Sequence, residues 1–346
     1  MKNILGYFKQ SLLFTFITLC VGFGYGFYLN GLDGALLTSV IIIALGIIEI
    51  SLSFDNAIAN AKVLETMDSV WQERFLTWGM LIAVFGMRVL FPIIIVAFAG
   101  NTSLIQAANI AFTDHKLYQE IMESSHIVIA GFGGSFLLLV ALNFFFDNER
   151  DVHWVGILEK KLQKFGRLAS AEIMITLIIL SIFSHFLNSN EAIQLLSSGI
   201  FGIIAHELVG SIGNFTGDET TGNTIKKVGL SSFIYLEVLD ASFSFDGVIG
   251  AFAITNDIII IAIGLSVGAM FVRSLTLMLV ERKTMSEYRF LEHGAFWSIL
   301  ALSFVMFIGI SVEIPEWIIA GTAISLIGLS FYSSIKANKI ELLEHI

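Results

Sequence analysis

A single cysteine, Cys20, removes any internal disulfide framework and every multi-cysteine metal centre. Two prolines in 346 residues leave no proline-rich linker. Charge is equally scarce. Charged residues make up 14% of the chain, against about a quarter in soluble domains. With 56% hydrophobic residues and a mean hydropathy of +0.83, the composition excludes an ordinary soluble fold. A formal net charge of −10 excludes the basic surface that a nucleic-acid partner needs. No ATP-binding motif is present, which argues against direct ATP coupling within this chain.

What the chain does have is long apolar runs. Ten are expected to be transmembrane helices, over 11–29, 35–61, 76–99, 126–146, 171–187, 191–210, 230–253, 257–280, 293–312 and 316–335. The first, preceded by Lys2 and Lys9, resembles a secretory signal. No small-residue cleavage site follows it, so it reads as a retained helix. With both termini in the cytoplasm, 16 of the 19 Lys and Arg residues fall inside and only Lys116 outside; Arg88 and Arg273 lie within spans. That asymmetry is a strong positive-inside signal for a chain with many passes. Segment 150–168 sets Trp154, Ile157, Leu158, Leu162 and Phe165 at helical spacing among basic residues. It reads either as an amphipathic helix on the inner membrane surface or as a loop helix packed on the bundle.

The chain also repeats itself. Glu49-Ile-Ser-Leu-Ser-Phe-Asp55-Asn-Ala-Ile58 and Asp240-Ala-Ser-Phe-Ser-Phe-Asp246-Gly-Val-Ile249 agree at five of ten positions. The next run in each half carries one arginine, Arg88 or Arg273, and the run after that starts near a histidine, His126 or His293. The two motif runs are five spans apart and so cross in opposite directions. That is the pattern of inverted repeats, which place a substrate near the bilayer midplane. The expected fold is therefore all-α and polytopic, about ten transmembrane helices in two inverted repeats, with the second and seventh helices discontinuous. Residues 1–170 form the first half, with the basic cytoplasmic segment 150–168, and 171–346 form the second.

Five acids fall in the motif runs: Glu49, Asp55, Glu237, Asp240 and Asp246. An intramembrane charge costs about 2.5–3.5 kcal/mol on insertion scales, so these groups must be neutralised in a polar interior. Arg88 and Arg273 offset two of them as counter-ions or gating groups; a divalent cation plus a proton would cancel the rest. Residues six apart on an ideal helix point about 120° away from each other. Glu49 and Asp55, like Asp240 and Asp246, therefore serve one site only if the second and seventh helices are discontinuous; otherwise they serve different layers. Ser51, Ser53, Ser242, Ser244 and Gly247 suit such loosened segments. The donors are carboxylate, carbonyl, hydroxyl and the Asn56 amide, a set suited to Mg²⁺, Ca²⁺ or Mn²⁺ rather than zinc or copper. No organic cofactor is implied. His126 and His293 are candidates for a proton relay or for plain interfacial residues. His206-Glu207 resembles the start of a metalloprotease motif, but Gly210 stands where the second histidine would be. An intramembrane aspartyl protease would need Gly-x-Gly before its acid, and Ser244-Phe245 precede Asp246. The chain does not read as an enzyme.

The paired motifs, Glu49-x5-Asp55-Asn56 and Asp240-x5-Asp246 continuing to Gly250-Ala-Phe-Ala-Ile-Thr255, resemble the signature helices of the TerC family of the lysine-exporter superfamily over about residues 35–310. Gly247-Val248 depart from the serine and Ile-Pro pair of typical members. The resemblance implies a multi-spanning inner-membrane protein concerned with metal-ion homeostasis, notably manganese export. It implies ligands at Glu49, Asp55, Asp240 and Asp246, with Asn56 beside them. The expected function is secondary transport of a divalent cation, manganese first and calcium or magnesium next, by alternating access and with proton antiport as the coupling option. The alternatives are export of another cationic solute, such as a basic amino acid, or a membrane metal sensor or scaffold that transports nothing. The expected partners are the bilayer, the metal ion and, as an open option, further copies of the chain.

Overall fold

The computed structural model describes residues 4–100, 102–215, 224–252, 254–312 and 314–344; it places the backbone of some of these residues without their side chains. The described residues are helical, with no strand among them. After a short turn at Ile4–Tyr7 come α1 (Lys9–Leu52) and α2 (Phe54–Glu65). Helix α3 covers 69–99 and is assembled from Ser69–Arg74, two π-helical stretches at Phe75–Gly79 and Ile82–Leu90, and Phe91–Ala99. Then follow α4 (Leu104–Thr113), α5 (His115–Ser124), α6 (His126–Phe146), α7 (Gly156–Gln163), α8 (Ala171–Ser184) and α9 (Ser189–Phe215). The remainder is α10 (Thr224–Ala251), α11 (Ile258–Glu281), α12 (Leu291–Gly309) and α13 (Glu316–Glu344). Among the described residues, six helices are individually long and apolar enough to cross a membrane, and eight spans result if two bent pairs each count as one. The chain is an all-helical, multi-pass membrane protein.

A continuous α1 would be about 66 Å long, twice the hydrocarbon thickness of a bilayer. It is not continuous. Asn30 (φ −141°, ψ 27°) and Gly31 (φ 63°, ψ −149°) leave helical geometry and turn the chain back on itself. The two arms then pack closely. A Cβ built on Gly26 would lie 2.5 Å from the Gly34 carbonyl oxygen, and one on Gly22 would strike Ile42. Only a side chain without Cβ tolerates the Gly31 backbone at low cost. Nothing lies within 4 Å of a Cβ placed there, so Gly31→Ala tests the dihedral alone. A stability loss of about 1–3 kcal/mol is expected in thermal unfolding of the detergent-solubilised protein.

Two compact units emerge. The first comprises Met1–Ala57, Ser69–His126 and Phe243–Met278; the second comprises Ile58–Asp68, Ile127–Ser242 and Leu279–Ile346. Each draws on both sequence halves. The chain changes unit inside both motif helices, after Ala57 and after Ser242.

In the first unit the α1 hairpin packs on α11 around Ile42, Ile260 and Val267. Ser11 donates to the Met270 carbonyl at 2.8 Å, and the Tyr25 hydroxyl donates to Asp257 Oδ2 at 2.8 Å. Segment 102–125 holds two short helices. Ser103 and Gln106 form a reciprocal capping box on α4, and Asp114 caps α5 by accepting from Leu117 N–H at 3.1 Å.

In the second unit α6 is central and α13 peripheral: 78% of the apolar window of α6 is buried, against 22% for α13. Phe144 stacks on Phe296 at 3.8 Å, and Phe183 on Phe307 at 5.3 Å. Segment 150–168 packs on this bundle. Its axis turns 106° into α8, so it runs as a strap. Glu159 is the anchor. Its carboxylate is buried and accepts from Trp154 N–H at 2.8 Å and Trp297 Nε1 at 2.9 Å, and lies 3.0 Å from His293 Nδ1. Ile157, on the same helix, remains exposed.

Burial alone would raise the Glu159 pKa, but the bonds from His293 and Trp297 outweigh it and bring it down to about 2 from 4.5. A carboxyl with a depressed folded pKa lends stability above its unfolded pKa and loses it as pH falls towards the folded one. The strap should therefore loosen between about pH 4.5 and pH 2. Glu159→Gln removes the charged acceptor, worth about 1.5–3 kcal/mol, at any pH. Trypsin should then cut at Lys160, Lys161 and Lys164 at least about tenfold faster than in wild type at neutral pH.

Candidate functional site

The first motif breaks where the acids need it to. Helix α1 ends at Leu52, Ser53 sits at φ −102°, ψ 18°, and α2 restarts at Phe54. The break falls between Glu49 and Asp55 and gives them separate surroundings.

Glu49 is buried at 2% exposure, and four features hold it. Its stem lies against Gly268 of α11, where a Cβ would overlap the Glu49 Cβ. Its Oε1 accepts from Ser53 Oγ at 3.0 Å. The same oxygen pairs with Arg88 Nη2. Its Oε2 faces Gly247 of α10, where a Cβ would come within 2.7 Å. Arg88, itself buried, also donates through Nη1 to the Ser244 carbonyl at 3.2 Å. It sits in the second π-helical stretch of α3; wide turns of this kind mark functional positions in many membrane and soluble helices. Arg273 donates to the Phe75 carbonyl and lies 4.1 Å over the Phe75 ring.

Asp55 opens α2 at 1% exposure, with Asn56 buried beside it, and its Oδ1 accepts the Asn56 N–H at 2.9 Å. Both belong to the first unit. Asp246 belongs to it too, on α10, with its side chain outside the described residues. His126, half-buried, is the first residue of α6.

The second unit holds the other acids. Asn60 Nδ2 donates to Asp240 Oδ1 at 2.6 Å, and Glu237 is buried on the same helix as Asp240. His293 is engaged with Glu159 and meets the Phe144 ring edge-on at 5.2 Å.

One expectation is overturned: the seventh helix is not discontinuous. Helix α10 runs from Thr224 to Ala251 through both acids. Ser242, expected to loosen it, instead bonds within it. Ser242 Oγ donates to the Val238 carbonyl one turn back at 2.9 Å, a bond available only in intact helix. Gly247 clears space for the Glu49 carboxylate. On a continuous helix, positions 240 and 246 stand about 120° apart around the axis.

Two partners had no place in the sequence reading. Asn60 lies one helical turn after Asn56 and shares its face, a spacing that offers a signal. Glu159 is an isolated acid in a basic segment, which offers one only in hindsight. Among the described residues, no three His, Cys, Asp or Glu side chains gather closely enough to hold a metal ion.

A family model described as "Protein of unknown function (DUF475)" matches residues 54–341. No curated protein and no solved structure matches the chain.

Proposed function

The chain belongs to the DUF475 family, whose description assigns no activity, and from its residues we propose a secondary transporter of divalent metal cations, with manganese export as the specific reading. The observation that carries the proposal is the helix break at Ser53. It sets a buried carboxylate and a buried amide, Asp55 and Asn56, at the start of α2, beyond a buried acid already neutralised by Arg88. A broken intramembrane helix flanked by hard oxygen donors suits a cation that moves through it. A structural acid needs only its counter-ion.

In this reading Asp55, Asn56 and Asp246 bind the ion, and Glu49 joins them when the cation takes the place of Arg88. Both are positive, so exchanging one for the other keeps the carboxylate paired. Arg88 then acts as the counter-ion of the empty state. Asp240 and Glu237, with Asn60, make a second polar layer. The acid-rich motifs, their resemblance to TerC helices and the oxygen-only donors favour manganese over softer metals. Ten spans with both termini inside, and alternating access through the inverted sequence halves, complete the reading.

The test is flux. The purified protein in liposomes should carry manganese down an imposed gradient, followed by an enclosed metal-sensitive dye, well above protein-free liposomes. Manganese entry equal to that of empty liposomes overturns the reading, and lysine flux without manganese flux would replace it with export of a basic amino acid.

A further inference from the structure

His206 lies within α9, in the second unit, at 7% exposure. The strap histidine, His293, is tied to an anchoring carboxylate; His206 is placed differently. Its Nδ1 lies 3.1 Å from Oε1 of Glu207, the next residue, and its Nε2 lies 3.2 Å from Nδ2 of Asn143 on α6. Two rings enclose the imidazole edge-on, Phe136 of α6 at 5.5 Å and Tyr235 of α10 at 6.4 Å. The other acid whose field reaches it is Glu172, at the start of α8. Glu207 itself is 47% exposed. By the distribution of basic residues, this end of α9 lies on the cytoplasmic side.

The surroundings satisfy the ring in two charge states. In the neutral ring Nδ1–H donates to Glu207 and Nε2 accepts from the Asn143 amide. When a proton is added at Nε2, the Asn143 side chain turns over and presents Oδ1 instead, so neither state leaves a ring nitrogen without a partner. A backbone carbonyl at the same place would accept from one state only. Two carboxylates nearby balance the imidazolium, so no net positive charge is stranded in the apolar interior. Glu207 joins the buried ring to the surface.

The geometry points to His206, with Glu207, as the group that takes up and releases the proton exchanged for the cation; this rests on the transport reading above. Uptake forms one N–H bond at Nε2, beside the exposed Asn143, as an O–H bond of a hydronium ion breaks. Release reverses it: the Nε2–H bond breaks, its electron pair stays on the ring, the proton returns to water, and Nδ1–H stays bonded to Glu207. Coupling to the cation has a physical route, since Tyr235 packs on the ring and the acids Glu237 and Asp240 follow it on the same helix.

Full-length protein in liposomes, with manganese as the ion and an enclosed pH dye, separates the two claims. Wild type should show manganese-driven proton movement. In His206→Gln, exchange of labelled for unlabelled manganese at equal concentrations should stay within about twofold of wild type, while manganese-driven proton movement falls at least about tenfold. A variant that keeps wild-type proton movement overturns the inference, as does one that loses exchange and proton movement together while eluting as wild type does from a sizing column. Wild type that moves no manganese defeats the transport reading instead. A measurement independent of transport then still judges the histidine. Carbon-13 NMR of labelled ring carbons, assigned with His206→Gln, should show His206 titrating between about pH 5 and pH 8, with its midpoint moved by Glu207→Gln. A ring held in one state across that range overturns the inference.

Discussion

Asp55→Asn should cut manganese flux through reconstituted protein by at least about tenfold while leaving the fold intact. The substitution keeps the shape and one side-chain oxygen, so the contact with the Asn56 N–H at 2.9 Å survives. It removes only the negative charge. At 1% exposure no solvent makes up the loss for an arriving divalent ion. Asp246→Asn should act alike, because the repeat gives it the corresponding place in the second motif. Asp151→Asn, in an exposed loop, should leave flux unchanged and serves as the control. Flux by dye and folding by thermal unfolding should be read on the same preparations. A folded Asp55→Asn and a folded Asp246→Asn that both transport like wild type would end the proposal that these acids carry the ion. Rising external manganese should partly restore the rate if the lost charge acts on affinity, and should not if it acts on movement of the loaded state.

The helices were legible because lipid leaves the backbone few options. Each apolar run must satisfy its own hydrogen bonds, and among the described residues six helices, or eight with the bent pairs, are long and apolar enough to span. The Asn30–Gly31 reversal falls in the short gap between the first two runs, and the Ser53 break between the first pair of acids was expected from the six-residue spacing. The same argument failed at Asp240 and Asp246. It assumed both acids look at one point, and a serine that bonds back to its own helix leaves no trace in composition. The 100–125 segment carried its caps openly, in Ser103, Gln106 and Asp114, but hydropathy does not register caps. The Arg88–Glu49 pair was accessible by counting charges. The contacts of Arg273 with the carbonyl and ring of Phe75 were not, because neither group carries a charge to count. The strap was left between two readings because burial of Glu159 depends on Trp297 and His293, more than 130 residues away in sequence.

Removing Arg88 should cost more than removing Arg88 and Glu49 together. Arg88→Met leaves a buried carboxylate that still accepts from Ser53 but has lost its guanidinium, and breaking a buried pair from one side costs about 3–5 kcal/mol. Glu49→Gln strands the guanidinium more gently, since the Ser244 carbonyl still accepts from Nη1 at 3.2 Å. The double variant, Glu49→Gln with Arg88→Met, leaves neither charge. It should recover a large part of the single losses, giving a coupling of about 1–3 kcal/mol in a double-mutant cycle. Acid discriminates further. A stranded carboxyl can neutralise itself by taking a proton, and a guanidinium cannot, so acidification should restore Arg88→Met and leave Glu49→Gln unchanged. Unfolding in detergent at two pH values measures all of this, and strictly additive losses would show that the contact between Arg88 and Glu49 contributes nothing of its own. Flux in the stable double variant then separates structure from mechanism. If the pair only fills space, transport persists; if Glu49 takes up the cation in place of the guanidinium, the double variant has lost a charged ligand, and manganese flux falls although the fold holds.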